Sequence, residues 1–104
     1  PTVNVEAPRF LVPAEGVYAG WADVRGERHA AAVSVGRAPT FHADEPVAVE
    51  AFLLDFDGEL YGEQVAVDFV EYLRPQQTFA DAEALKAKMA EDCRQVREVL
   101  AKRF

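Results

Sequence analysis

The stretch that decides the fold is VAVEAFLLDFDGELYGEQVAVDFVEYLR, residues 47–74. It holds two runs, residues 47–55 and 65–74, that are rich in β-branched and aromatic residues, as strands usually are. Between the runs, Asp57-Gly58 is a dipeptide that tolerates a positive φ and is typical of hairpin turns. The stretch therefore predicts two neighbouring antiparallel strands joined by a hairpin.

Two more runs of the same composition precede this stretch, at residues 17–25 and 28–36. Arg25-Gly26-Glu27 predicts a short reversal of the chain between them. Residues 37–46 are polar and carry two prolines, so they predict a long loop, and long loops in compact domains are often functional. The first three-quarters of the chain is therefore predicted to be antiparallel β-structure.

After Asp81 the hydrophobic period changes from that of a strand to that of a helix. Asp81 is the predicted N-cap, and Glu83 in the first turn suits the helix dipole. Several strands followed by one long helix predict a small closed β-structure with the helix packed outside it. The apolar stripe of this helix consists of Leu85, Met89, Cys93, Val96 and Leu100.

Length and charge limit the classes of function. A chain of 104 residues is one domain, and its net charge of −7 disfavours a nucleic-acid partner, since a phosphate backbone requires a basic surface. The three lysines are Lys86, Lys88 and Lys102, and there is no G-x-x-x-x-G-K-[ST] loop. Any ATP site in this chain would therefore work without P-loop chemistry.

Cys93 is the only cysteine, which excludes an internal disulfide and a cysteine-based zinc site. Its place in the helical stripe predicts a packing role. No apolar stretch approaches the roughly 20 residues that a membrane-spanning helix needs. We therefore expect a cytoplasmic protein that makes no contact with a membrane.

Glu50 is the most conspicuous carboxylate, because it interrupts an otherwise apolar strand-like run and shares a face with Phe52 and Leu54. An unpaired carboxylate is costly to bury, so such a position is a candidate for catalysis. The alternative is that Glu50 lies on the solvent side of the strand or pairs with an arginine.

Thr2 and Asn4 carry a hydroxyl and an amide, groups that can bind a hard cation or phosphate oxygens. Threonine and asparagine are also common in turns. The alternative interpretation of this segment is therefore a turn that leads into a strand.

Five segments of the chain form a recognisable set in their order and separation: residues 1–4 (PTVN), 34–41, 49–56, 60–62 and 72–75. This set resembles the riboflavin kinase family, above all the kinase module at the C-terminal end of bacterial bifunctional FAD synthetases (riboflavin kinase/FMN adenylyltransferase). The resemblance runs from Pro1 into the last helix. It implies a mainly β fold, a six-stranded antiparallel Greek-key barrel with a long C-terminal helix outside, which phosphorylates riboflavin to FMN with ATP and Mg²⁺.

The resemblance also implies roles for individual residues. Glu50 would be the general base that takes the proton of the ribityl 5′-hydroxyl. Thr2 and Asn4 would bind magnesium and ATP. The remaining nucleotide-binding residues would be Leu53, Asp55 and Tyr61.

On the flavin side the resemblance assigns Arg74, Gln77 and Phe79. From the sequence alone, Tyr61 and Phe79 could equally be core residues, and Arg74 could be an exposed arginine at a strand end. The family also has a first strand and a glycine-containing turn before the PTxN motif.

We therefore expect residues 1–104 to be a riboflavin kinase domain that is incomplete at its N-terminus, with riboflavin, FMN, ATP and ADP as ligands. A covalently linked FMN adenylyltransferase domain is the partner that the resemblance implies. The alternative from another class is a non-catalytic flavin-binding or interaction module on the same barrel.

Overall fold

The computed structural model describes residues 2–5, 13–37, 47–56 and 65–102, with the backbone alone for residues 2–5, 37 and 47. All four predicted strands and the helix are present, and the strand ends differ from the predicted ones by at most two residues. The elements are β1 (Thr2–Val5), β2 (Gly16–Val24), β3 (Glu27–Arg37), β4 (Val47–Leu53), β5 (Val65–Arg74) and α1 (Ala82–Ala101).

The strands form one antiparallel sheet in the order β1-β4-β3-β2-β5. Strands β2, β3 and β4 are sequential neighbours and β1 lies beside β4, which is the order of a Greek key. The predicted mainly β fold with a C-terminal helix is confirmed. Among the described residues β1 and β5 are the two edges of an open sheet, so the closed six-stranded barrel stays a prediction.

Strand β1 replaces the turn that was the alternative for Thr2 and Asn4, and that alternative is wrong. The segment pairs with β4, with Thr2 opposite Phe52 and Asn4 opposite Glu50. Three of the four residues in Thr2–Val5 are β-branched, a composition that favours an extended backbone. The register brings the PTxN motif alongside the strand that carries Glu50.

The reversal between β2 and β3 is confirmed as a two-residue hairpin. Arg25 and Gly26 have φ values of 52° and 80°, and Val24 pairs with Glu27. Two consecutive positive φ values are those of a type I′ turn, whose twist matches the flanking strands. The predicted hairpin turn at Asp57-Gly58 and residues 38–46 of the predicted long loop lie outside the described residues.

Each face of the sheet is covered by its own apolar cluster. On one face β2 to β5 bury a core that includes Val33, Val35 and Leu53. On the opposite face Leu54 and residues of β2 pack beneath Val96 and Leu100 of α1. Because side chains alternate along a strand, the odd positions 49, 51 and 53 of β4 enter the first core. Positions 50 and 52 therefore face the helix.

The predicted N-cap of α1 is confirmed: the Ala84 backbone N–H donates to Asp81 Oδ1 at 2.9 Å. The apolar stripe divides into two halves. Val96 and Leu100 are buried, whereas Leu85 is 41% exposed. The first half of the helix therefore lies over a cavity, and the second half closes the core.

Within the described residues, no helix combines the length and the apolar character needed to cross a membrane.

Candidate functional site

A cavity of about 310 Å³ lies between the helix-side face of the sheet and the first half of α1. Its lining is mainly apolar with a few polar groups, the usual character of a small-molecule site. The sheet contributes Val17, Ala32, Ser34, Glu50 and Phe52; the segment that starts at the end of β5 contributes Arg74, Gln76, Gln77 and Phe79; α1 contributes Leu85, Met89, Asp92 and Cys93.

Glu50 lies in the middle of a row across three strands, with Ser34 of β3 on one side and Asn4 of β1 on the other. Its side chain is exposed and lines the cavity. In the part of the chain that the structure describes, no ion pair engages its carboxylate. Glu50 therefore lies on the helix side of the sheet, with no arginine partner among the described residues. An exposed carboxylate at a cavity wall can accept a proton or a hydrogen bond from a ligand.

Arg74 is held by Asp92 in a bidentate ion pair. Arg74 Nε donates to Asp92 Oδ1 at 2.8 Å and Nη2 donates to Oδ2 at 2.7 Å, while Nη1 donates to the Pro75 carbonyl at 3.0 Å. The two side chains are 13% and 5% exposed. The hydrogen bond to Asp92 raises the pKa of Arg74 further above its ordinary value. Arg74 is therefore not the exposed arginine of the alternative interpretation.

Phe79 lies on the same cavity wall as Arg74. The guanidinium carbon of Arg74 is 6.0 Å from the centroid of the Phe79 ring, within the range of a cation–π contact. Phe79 is half-buried and lines the cavity together with Gln77. The wall thus presents an aromatic ring, a cation and an amide next to one another.

Gln76 anchors the segment that forms this wall. Its Nε2 donates to Ser34 Oγ at 2.7 Å and to the Val35 carbonyl at 3.0 Å. These bonds tie the chain just after β5 to β3, on the far side of β2. Gln76 was not among the residues predicted from the sequence, where nothing distinguished it from its neighbour Gln77.

Two of the residues predicted for the nucleotide side point away from the cavity. Leu53 is 1% exposed and belongs to the core on the opposite face of the sheet. Asp55, at φ 55°, accepts two hydrogen bonds from Arg97 of α1, at 2.6 Å and 2.9 Å. These hydrogen bonds hold the pKa of Asp55 below its ordinary value. Tyr61 lies outside the described residues.

The structure thus brings Glu50, Arg74, Gln77 and Phe79 together at one cavity. Thr2 and Asn4 are placed by their backbones alone, beside the strand that carries Glu50.

Asp92 is a site residue that sequence reasoning missed, although a signal for it existed. It stands three residues after Met89 and four before Val96, so it falls on the apolar face of the helix. A charged residue at such a position needs a partner, because burying an unpaired carboxylate is costly. The partner is Arg74, at the end of a different element.

The single thiol is part of the same cavity wall. Burial raises the pKa of Cys93 above its ordinary value, and the nearby Asp92 carboxylate acts in the same direction. The thiol form therefore prevails near neutral pH, which suits packing. Within the described ranges, no group of three or more His, Cys, Asp or Glu residues could hold a metal ion.

Comparisons with known proteins point to one family. The family described as Flavokinase: Riboflavin kinase matches residues 1–100. A bifunctional riboflavin kinase/FMN adenylyltransferase of Listeria monocytogenes is 35% identical over 98% of this chain and 33% of its own length. One of Pseudomonas fluorescens is 38% identical over 97% of this chain and 32% of its own length. The chain therefore spans about a third of the length of these two relatives.

One further relative and one solved structure are also similar to this chain. The RNA-binding riboflavin kinase RibR of Bacillus subtilis is 31% identical over 100% of this chain and 43% of its own length. The crystal structure of a macrolide-efflux protein from Streptococcus pneumoniae superposes with a TM-score of 0.75 at 29% identity, over 83% of this chain and 28% of that one. With a family match that covers almost every residue and relatives above 30% identity, the chain belongs to the riboflavin kinase family.

Proposed function

We propose that this chain transfers the γ-phosphoryl group of ATP to the ribityl 5′-hydroxyl of riboflavin and so produces FMN. The observation that carries the proposal is the cavity itself, where Glu50 shares one lining with Arg74, Gln77 and Phe79. A candidate base and a candidate flavin-binding wall come from β4 and from the end of β5, and they meet in space. Membership of the riboflavin kinase family supports the same assignment.

The wall of Arg74, Gln77 and Phe79 suits an isoalloxazine ring. The ring is planar and aromatic, so it can stack against Phe79 and fill space lined by apolar side chains. It also carries carbonyl oxygens and an imide N–H, which the Gln77 amide can bind as donor and as acceptor. A cavity of about 310 Å³ is large enough for such a ring and leaves the ribityl chain to extend towards Glu50.

Glu50 would act as the general base. Its carboxylate accepts the proton of the ribityl 5′-hydroxyl as that oxygen forms a bond to the γ-phosphorus, and the bond between that phosphorus and the β–γ bridging oxygen breaks. ADP leaves with the electron pair of the broken bond, and the proton passes from Glu50 to solvent. An exposed carboxylate without an ion-pair partner among the described residues is free for this exchange.

The nucleotide would bind on the β1 side of Glu50, because Asn4 is the register partner of Glu50 and Thr2 that of Phe52. We assign Thr2 and Asn4 to Mg²⁺ and to the ATP phosphates. The donor set fits Mg²⁺, which takes hard oxygen ligands and retains several waters, so that a hydroxyl, an amide oxygen and phosphate oxygens suffice. The bound ion would reduce the negative charge of the phosphates.

The other nucleotide residues are assigned to the same side of the domain. Asp55 and Tyr61 follow Glu50 along the chain and would border the adenosine. Leu53 would support this region from the core, since its side chain is buried. Closure of the sheet into a six-stranded barrel would give the phosphates a complete rim.

The relatives' names also suggest a context for the domain. We propose that a covalently linked FMN adenylyltransferase domain uses the FMN, in a cytoplasmic protein. The net charge of −7 disfavours RNA as a partner of this chain, although RibR is named as RNA-binding. A filter-binding assay with RNA at two salt concentrations tests that point.

The experiment that tests the function pairs a binding measurement with a turnover measurement. Riboflavin is titrated by the quenching of its fluorescence, and FMN is quantified by liquid chromatography after incubation with ATP and Mg²⁺. FMN and ADP formed in equal amounts would support the kinase. Tight riboflavin binding without FMN would favour the non-catalytic flavin-binding module. Absence of riboflavin binding would refute the proposed function.

A further inference from the structure

The ion pair between Arg74 and Asp92 is the most buried charged group that the proposed chemistry does not use. Asp92 is the one buried charged residue in the described part of the chain, and both of its oxygens accept hydrogen bonds from Arg74. A third guanidinium nitrogen is bonded to the Pro75 carbonyl. All three nitrogens of Arg74 are therefore fixed, and the plane of the guanidinium has one orientation.

That orientation determines what the cavity presents to a ligand. The guanidinium lies against the Phe79 ring. It also donates to the carbonyl of Pro75, the residue that follows Arg74 in the segment that forms the cavity wall. Gln76 anchors the next residue to Ser34 and to the Val35 carbonyl. The segment that forms the wall is thus bound to α1 through Asp92 and to β3 through Ser34 and Val35. All three of these partners lie outside the segment.

Stability alone does not account for this arrangement. A buried ion pair contributes little net free energy of folding compared with apolar residues of similar size, because both charges lose their hydration. The geometry, by contrast, has a use at the cavity. If Asp92 were absent, the long Arg74 side chain could turn into the cavity, where Glu50 is the carboxylate that would attract it. That movement would obstruct the space in front of Phe79.

We propose that Asp92 is a positioning residue for flavin binding: by holding Arg74 it keeps the Phe79 wall in place and the cavity open. The inference rests on the proposed function, since it assigns this wall to the flavin ring. It makes Asp92, at the middle of α1, a determinant of flavin affinity, separate from the strand β1 side on which the nucleotide would bind.

The test compares Asp92→Asn with the parent protein, with Arg74→Lys as a second variant that keeps the charge but loses the fork geometry. Riboflavin affinity is measured by fluorescence quenching and Mg-ADP affinity by calorimetry. We expect both variants to weaken riboflavin binding about tenfold or more, since charge-assisted bonds are lost, and to change Mg-ADP binding by less than about threefold. Glu98→Gln is the matched control, because it breaks an exposed pair with Arg94 on the same helix.

Cys93 supplies a readout that is independent of flavin. It is the only thiol in the chain and it lines the cavity, so its rate of reaction with a thiol reagent reports access to this wall. Arg74→Lys, which leaves the Asp92 carboxylate beside the thiol, is expected to change that rate by several-fold, whereas Glu98→Gln leaves it as in the parent. In the parent, riboflavin is expected to slow the reaction.

The outcomes separate the two proposals. Parent protein that fails to bind riboflavin overturns the proposed function and the inference with it. Parent that binds riboflavin, with Asp92→Asn binding it equally well, overturns the inference alone. Equal weakening of riboflavin and Mg-ADP in Asp92→Asn would mean general loosening of the domain and would likewise overturn it. If Asp92→Asn fails to fold, Arg74→Lys decides: the inference then requires a changed Cys93 reaction rate in that variant beside its weaker riboflavin binding, and an unchanged rate would overturn it.

Discussion

Replacing Glu50 by glutamine separates catalysis from binding and stability more cleanly than any other change in this chain. The amide has the shape of the carboxylate but is not a base at neutral pH. Because Glu50 is exposed and has no ion-pair partner among the described residues, the free energy of unfolding should change by less than about 0.5 kcal/mol. Turnover should fall by about 10²- to 10⁴-fold, the usual contribution of a general base. At about 1.36 kcal/mol per factor of ten, the activation barrier would rise by roughly 2.7–5.4 kcal/mol.

The assay is FMN formation at saturating riboflavin and Mg-ATP, with the affinities for riboflavin and Mg-ADP and the thermal midpoint measured on the same protein. Affinities within about threefold of the parent are expected, since the Glu50 carboxylate would accept the proton during the reaction and is not needed to bind either ligand. Asp68→Asn is the control for turnover, because Asp68 is also a strand carboxylate, its side chain is 60% exposed and it does not line the cavity; unlike Glu50 it pairs with an arginine, Arg28, so the comparison is made on turnover and not on stability. Turnover of Glu50→Gln within a few-fold of the parent would refute the assignment of the base.

Three further outcomes are expected. Thr2→Val should raise the Mg²⁺ concentration needed for half-maximal turnover and weaken Mg-ADP binding while riboflavin binds as before; equal loss of both ligands would mean that β1 had detached. Leu53→Ala should lower the free energy of unfolding by about 2–5 kcal/mol in urea melts, because the side chain is 1% exposed in the core. A loss of ADP affinity without a loss of stability would contradict the assignment of Leu53 to the core. Asp55→Asn should be less stable than the parent at neutral pH, because hydrogen bonds from Arg97 lower the pKa of Asp55 in the folded protein. The ionised carboxylate therefore stabilises the folded state above the unfolded pKa of roughly 3.9, and this stabilisation disappears as the pH falls through the lower folded pKa. A stability difference that did not shrink in acid would show that the ion pair is not its source.

The features that could be predicted from the sequence are those that depend on local pattern. The ends of β2 to β5 follow from runs of β-branched and aromatic residues, and the N-cap follows from one aspartate before a change of period. Alternation along β4 placed Glu50 on the same face as Phe52, and the structure keeps it there. These inferences need no knowledge of what packs against the element.

The features that escaped prediction depend on contacts between distant elements. Arg74 and Asp92 are 18 residues apart on a strand end and a helix, so neither flanking pattern reveals the pair. The apolar stripe of α1 looks continuous in the sequence, yet Leu85 lines an opening and Val96 closes a core. Which half is covered depends on how closely each part of the helix approaches the sheet, and no local period encodes that distance.

The Greek-key order has a consequence for how the domain assembles. Strand β1 pairs with residues more than forty positions further along the chain, whereas β2 and β3 are joined by a two-residue turn. Closing a long loop costs entropy before any contact repays it, so the hairpin can form early, whereas the β1–β4 and β2–β5 ladders, which both join residues more than forty positions apart, form later. We expect the folding nucleus to lie in β2 and β3 and the edge strands β1 and β5 to be added afterwards. The two sides of the site, assigned to the nucleotide at β1 and to the flavin after β5, would then acquire their native structure after the hairpin and lose it before the hairpin does.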